Sequence, residues 1–249
     1  MVKALILGTC IFMGSLYAST ISIAVAANVS YASSELIKEF HKEYPHTKVR
    51  IILGSSGKLT AQIKNGAPYQ LFMSADMKYP HLLYREKIAI SEPITYANGL
   101  LAFLSTKKRD FSLGMQLLEK DSIKKIAIAN PKTAPYGKAT LEAFNTSGIY
   151  TKIKDKLVFA QSASAVVSYA ISAADIGIVP KSTLFSDKMK NYKKGVNWVE
   201  VDRTLYSPIK QGIVILEKGK DSQEVLNFYK FILSNKAKKI FKEFGYISL

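Results

Sequence analysis

Short apolar runs and helical stripes take turns along the chain. Residues 21–27, "ISIAVAA", make a continuous apolar run of strand length. Behind it, Leu36, Ile37, Phe40 and Tyr44 recur at helical spacing, so a helix is predicted over 31–44, stopped by Pro45. The pairing repeats, with strands predicted at 48–53 and 69–76 and helices at 58–65 and 77–86. Further on, "LLAFLS" (100–105), "KIAIAN" (125–130), "KLVFA" (156–160), "DIGIVP" (175–180) and "QGIVILE" (211–217) have the same strand character. Helices are predicted near 113–120, after "PKTAPYG", after "QSAS", and over 221–242, where Val225, Phe228, Tyr229, Ile232 and Leu233 form a stripe.

Strands alternating with helices define an α/β fold with mostly parallel sheets flanked by helices. Two similar strand–helix series follow one another, which favours two lobes over a single doubly wound domain. The first lobe is expected from 19–97 and 212–249, the second from 98–211, with the chain crossing near 96–100 and returning near 205–212. At 249 residues and 48% hydrophobic content the chain can fill the cores of one or two domains.

The first 18 residues carry a different pattern. Lys3 precedes an apolar run from Ala4 to Leu16, too short to span a bilayer, and Ala18 is a suitable last residue before a cut. A secretory signal over 1–18 is expected, and with it an exported protein; a retained membrane anchor and lipid attachment at Cys10 are the competing readings. Cys10 is the one cysteine. Its removal with the leader leaves no disulfide, thiolate metal site or cysteine nucleophile.

The formal net charge is +16. That balance suits nucleic acid, an anionic membrane or anionic solutes. The lysines are scattered, however, and none is interleaved with aromatics as on a nucleic-acid platform. No nucleic-acid partner is expected, and the lysines read as a basic solvated surface.

Four strands end in small or polar residues that lead straight into a helix. These turns are Asn28-Val29-Ser30, Gly54-Ser55-Ser56-Gly57, Thr133-Ala134-Pro135-Tyr136-Gly137 and Gln161-Ser162-Ala163-Ser164. In parallel α/β sheets ligands sit beyond the carboxyl ends of strands, where helices begin. A helix start offers unpaired N–H groups and the positive end of the macrodipole, which together attract anions. Hydroxyls and the Asn28 amide add donors, and glycines at 54 and 57 would let backbone approach a ligand. Apart from Lys132 at the margin of the third turn, none of the four holds a titratable acid or base. Neutral donors alone suit a fully deprotonated oxyanion. Ordinary helix capping by Asn28 and Ser56 competes with this reading.

"AANVSYASSELIKEF", "LGSSGKLTAQIKNGAPYQLFMSAD", "IANPKTAPYGKATLEAF" and "AADIGIVP" resemble the periplasmic molybdate-binding proteins of ABC transporters, over nearly the whole mature chain. The resemblance implies a two-lobed type II periplasmic binding-protein fold whose lobes close on one molybdate or tungstate. It also implies delivery to an inner-membrane ABC permease, a periplasmic location, a monomer and no cofactor. Carried over one by one, the binding positions are Asn28, Ser56, Tyr136 and Ala163, with Ser55 as a further donor and Ser162 as the competitor of Ala163 in the fourth turn. No protein atom is expected to ligate the metal directly. Some members place a tyrosine hydroxyl after the "GIV" strand, where this chain has Pro180. Replacing Ser56 by alanine should therefore weaken binding with little loss of stability.

Rival readings stay open on the residues alone. A binding protein for sulfate or another oxyanion would use the same turns. An exported enzyme on the same bilobal fold is less suited, because "GSSG" lacks the order of a nucleophile elbow and a nearby base. His41, His46 and His81 make no zinc spacing and read as solvated surface. Trp198 and Tyr206, near the return crossing, are expected to pack between the lobes.

Overall fold

A computed structural model of the chain describes residues 19–247; the expected leader, Cys10 included, lies outside them. The opening run forms β1 (Ser19–Ala26), followed by a single 3₁₀ turn and α1 (Ser30–His41). There follow β2 (Thr47–Gly54), α2 (Ser56–Lys64), β3 (Leu71–Met73), α3 (Lys78–Arg85) and β4 (Ile94–Gly99). The middle of the chain holds β5 (Leu101–Leu104), β6 (Ile126–Ala129), α4 (Pro135–Thr146), α5 (Tyr150–Ile153), β7 (Leu157–Ala160), α6 (Ala163–Ser172), β8 (Ile176–Pro180) and β9 (Trp198–Glu200). The chain ends on β10 (Ile209–Ile215), α7 (Gln223–Leu233) and α8 (Asn235–Glu243).

Two five-stranded sheets result, in the orders β2-β1-β3-β10-β4 and β7-β6-β8-β5-β9. Each builds one lobe of the expected α/β architecture. The sheets are mixed: in each, two pairings are parallel and two antiparallel. Helical crossovers make the parallel pairs, as alternation along the chain implies. The antiparallel pairs all involve β10 or β5, strands that follow the two passages between the sheets. The chain leaves the first sheet at Gly99 and enters the second at Leu101, with only Leu100 between.

Each sheet is covered on both faces, which is why its central strands are uniformly apolar. In the first lobe α1, α7 and α8 bring Phe40, Phe228 and Phe241 onto one face, while α2 and α3 bring Leu59, Ile63 and Leu83 onto the other. In the second, Phe103, Ile128 and Phe144 fill one side, and Val166, Ala170 and Trp198 the other.

Three details depart from the sequence expectation. The stretch 113–120 is part of a 3₁₀ segment, Phe111–Glu119, broken at Gly114, whose φ of 53° no helix tolerates. The strand β4 and the three-residue β9 were not legible as apolar runs. Trp198 packs within the second lobe rather than between lobes: it lies on β9, and its Nε1 donates to Tyr192 O at 3.1 Å. No helix among the described residues is long and apolar enough to cross a membrane.

Candidate functional site

All four polar turns meet where the two lobes face each other. Asn28, Ser55 and Ser56 from the first lobe, and Pro135, Tyr136 and Ala163 from the second, line one small cavity. Its free volume is only ≈ 10 Å³, far below the roughly 300–1,000 Å³ of organic-ligand pockets. A space of that size suits a small ion better than a sugar or peptide. Ser162, the alternative to Ala163, stands just outside it and caps α6 instead, its hydroxyl accepting from Ala165 N at 3.3 Å.

The helix starts around the cavity are under-capped. At α7 and α8, remote from it, Ser222 and Ser234 accept from Val225 N and Ala237 N in the ordinary way. At α1, α2 and α4 no side chain caps the N-terminus. Ser30 N already bonds Ala27 O and Gly57 N bonds Thr133 O, so it is the remaining first-turn N–H groups that lack a side-chain partner. Two buried polar atoms of the lining have no partner at all, Asn28 Oδ1 and Ser55 Oγ. Ordinary capping accounts for neither Asn28 nor Ser56.

Ser56 is wholly buried, and its Oγ accepts from Ala75 N at 2.9 Å. That bond occupies a lone pair and leaves the hydroxyl proton for something else. Asn28, equally buried, holds its amide NH₂ against Gln211 Oε1 at 2.8 Å and Tyr246 Oη at 3.1 Å. Its backbone carbonyl accepts from Tyr246 Oη and from Ser182 Oγ. Tyr136 contributes the second residue of α4 to the lining, while its hydroxyl accepts from Gln211 Nε2 at 3.1 Å.

The sequence did not single out this last group. Gln211, Tyr96, Tyr246 and Ser182 form a buried polar floor under the cavity, and Tyr96 Oη donates to Gln211 Oε1 at 2.8 Å. Ser182, two residues past Pro180, donates its hydroxyl to the Asn28 carbonyl at 3.1 Å. Burial pushes the hydroxyl of Tyr96 and that of Tyr136 well above the usual phenol range, and Tyr246 up to about 12. All three stay neutral around the cavity at physiological pH.

The lobes also touch directly at the rim. Gly57 N donates to Thr133 O at 2.9 Å, and Lys58 Nζ reaches Gln161 Oε1 at 3.2 Å. A Cβ on Gly57 would lie 3.0 Å from Thr133 O and 2.6 Å from Tyr79 Oη, so this glycine admits the facing lobe rather than a ligand. Gly54 instead makes room for Leu59 of α2. His41 Nε2 donates to Thr47 O at 2.9 Å, while His46 and His81 are exposed; none lines the cavity. No cluster of His, Cys, Asp and Glu able to hold a metal ion occurs among the described residues.

Two lobes meeting over a small, uncharged polar cavity have the architecture of a solute-binding protein. The chain belongs to the bacterial extracellular solute-binding protein family, whose model matches residues 21–247. It is 35% identical to the molybdate-binding protein ModA of Azotobacter vinelandii over 92% of this chain and 90% of that one. It is 32% identical to ModA of Rhodobacter capsulatus over 93% and 89% of the two chains. In three dimensions it is similar to the A. vinelandii periplasmic molybdate-binding protein, with a TM-score of 0.84, 31% identity, and coverage of 92% of this chain and 99% of that one.

Proposed function

We propose that the protein captures molybdate, and tungstate with it, in the interlobe cavity and delivers it to an ABC permease from the periplasm. The observation that carries this reading is the set of uncapped helix starts, from α1, α2 and α4, around a cavity lined by orphaned polar atoms. The similarity to two ModA proteins over nine-tenths of the chain supports the choice of oxyanion. Asn28 and Ser56 bind from the first lobe, with Ser55 Oγ beside them; the backbone N–H groups of Tyr136 and Ala163 bind from the second. The passage at Gly99–Leu101 and the return ahead of β10 serve as the hinge.

The energetics suffice without a salt bridge. Micromolar affinity requires about 8.2 kcal/mol. About six hydrogen bonds to a charged acceptor, at roughly 1.5–3 kcal/mol each, exceed that before ordering and closure costs. Calorimetric titration of the mature, ligand-stripped protein with molybdate, tungstate, sulfate and phosphate tests the assignment. One-to-one binding of the first two, with sulfate far weaker, is the expected result. Preference for sulfate would move the protein to another oxyanion, and silence from all four would remove the function.

A further inference from the structure

Gln211 touches no surface of the cavity, yet it holds one binding residue from each lobe. Its Oε1 accepts from Asn28 Nδ2 and from Tyr96 Oη, each at 2.8 Å, and its Nε2 donates to Tyr136 Oη at 3.1 Å. Gln211 and Asn28 are both fully buried. Because the NH₂ end of Asn28 is engaged by Gln211 and Tyr246, the other end is left over: Asn28 Oδ1 is buried without a partner, on a side chain that lines the cavity. In this arrangement Asn28 offers the cavity an acceptor. A bare oxyanion needs a donor there.

The floor has a second arrangement that satisfies the same groups. The two ends of a carboxamide are nearly isosteric, so half-turns exchange them without moving neighbours. With both amides reversed, Gln211 Nε2 donates to Asn28 Oδ1, and the Tyr136 hydroxyl rotates to donate to Gln211 Oε1. Tyr96 then turns its proton to Ser74 O, already 3.3 Å from its oxygen. Tyr246, 3.1 Å from the Asn28 amide and 3.0 Å from the Asn28 carbonyl, has an acceptor in both states. Asn28 Nδ2 is then free to donate into the cavity. Neither amide can reverse alone without setting oxygen against oxygen or NH₂ against NH₂.

We propose that Gln211 is a positioning residue that sets which end of the Asn28 amide serves the ligand and ties that choice to the interlobe contact with Tyr136. The inference rests on the oxyanion reading above. The first arrangement suits the empty cavity or a ligand that carries a proton. The second suits a fully deprotonated oxyanion, and it changes the polarity of the Gln211–Tyr136 bond from donated by the amide to donated by the phenol. Ligand recognition at Asn28 and closure at Tyr136 are thereby one event.

The test uses molybdate titrations of the full mature protein, wild type, Gln211→Met, Asn28→Ala and the double variant. Gln211→Met should weaken binding by about tenfold, the size of one lost hydrogen bond. In the Asn28→Ala background it should cost markedly less, because its main effect passes through Asn28 and only the bond to Tyr136 Oη is left to lose. Full additivity in the double variant, or unchanged affinity in Gln211→Met, overturns the proposal. Nitrogen-15 spectra of the wild type avoid any dependence on variant folding. Saturating molybdate should shift the side-chain NH₂ signals of both Asn28 and Gln211; movement of Asn28 alone overturns the coupling. Wild-type protein that binds no molybdate removes the function itself, a result distinct from either.

Discussion

At the scale of single residues, Ser56, the binding group proposed above, is also a structural one. Its hydroxyl accepts from Ala75 N at 2.9 Å in a fully buried setting. Ser56→Ala should lower molybdate affinity by about 1.5–3 kcal/mol, roughly ten- to a hundredfold. The sequence expectation of little stability loss needs correcting, because truncation also strands the Ala75 amide, which costs about 1–3 kcal/mol. Calorimetry and thermal melting of one preparation separate the two effects; unchanged affinity with a lowered melting point would leave Ser56 a purely structural residue. The residues legible in the sequence were those whose signal is local: a small polar group between a strand and a helix. Gln211, Tyr96 and Tyr246 carry no such signal. Gln211 stands 183 positions from Asn28 and Tyr246 stands 218 from it, so only the fold reveals that they meet.

At the scale of elements, periodicity located the long helices and the buried strands, because burial on one or both faces sets the apolar pattern directly. It missed β4, where "ITYANG" mixes exposed and buried positions at a sheet edge, and β9, which is three residues long. Polar residues near element ends are easier to misjudge. Asp76 is an example: its Oδ1 accepts from Tyr79 N at 3.2 Å and from Ser74 Oγ at 3.0 Å, capping the start of α3. Burial raises its carboxyl above the usual range, and these bonds offset that only in part. Folding therefore favours the protonated form, so this group's contribution to stability declines as pH rises from the ordinary carboxylate value through the raised one. Asp76→Asn keeps an acceptor for Tyr79 N without the charge. Its melting temperature relative to wild type should be higher at pH 7 than at pH 4; a difference that does not change with pH would mean burial carries no such penalty.

The passage between lobes is the element where packing and function coincide. A Cβ on Gly99 would stand 2.0 Å from Tyr136 Oη and 2.7 Å from Gln211 Nε2, so the closed form has no room for one. Tyr136 belongs to the facing lobe, so opening would relieve that clash, whereas Gln211 lies on β10 beside Gly99 in the same sheet and its clash would persist. Gly99→Ala should thus lower the melting point of ligand-free protein through Gln211 and, through Tyr136, weaken molybdate binding as well. Overpacking costs about 1–3 kcal/mol, which predicts a loss of roughly tenfold or more. Small-angle scattering with saturating ligand should show a larger radius for the variant than for wild type. Equal radii and equal affinity would mean the lobes close elsewhere.

For the whole molecule, the contrast lies between a basic chain and a cavity without a cation. The formal net charge is +16, yet no lysine or arginine lines the cavity. Charge at a distance acts on encounter, and contacts act on residence. An anionic ligand should be drawn in by the whole positive field and then held by neutral donors. Stopped-flow tyrosine fluorescence with molybdate at rising sodium chloride tests this separation. The association rate should fall by about an order of magnitude or more from low to high salt, within the usual range for steered capture. The dissociation rate should stay constant, because neutral hydrogen bonds in a closed cavity are not screened. A dissociation rate that rose with salt instead would place an ammonium group on the bound ion. Lys58 would then be the side chain to replace, since its Nζ already spans the lobes to Gln161 Oε1 at the rim.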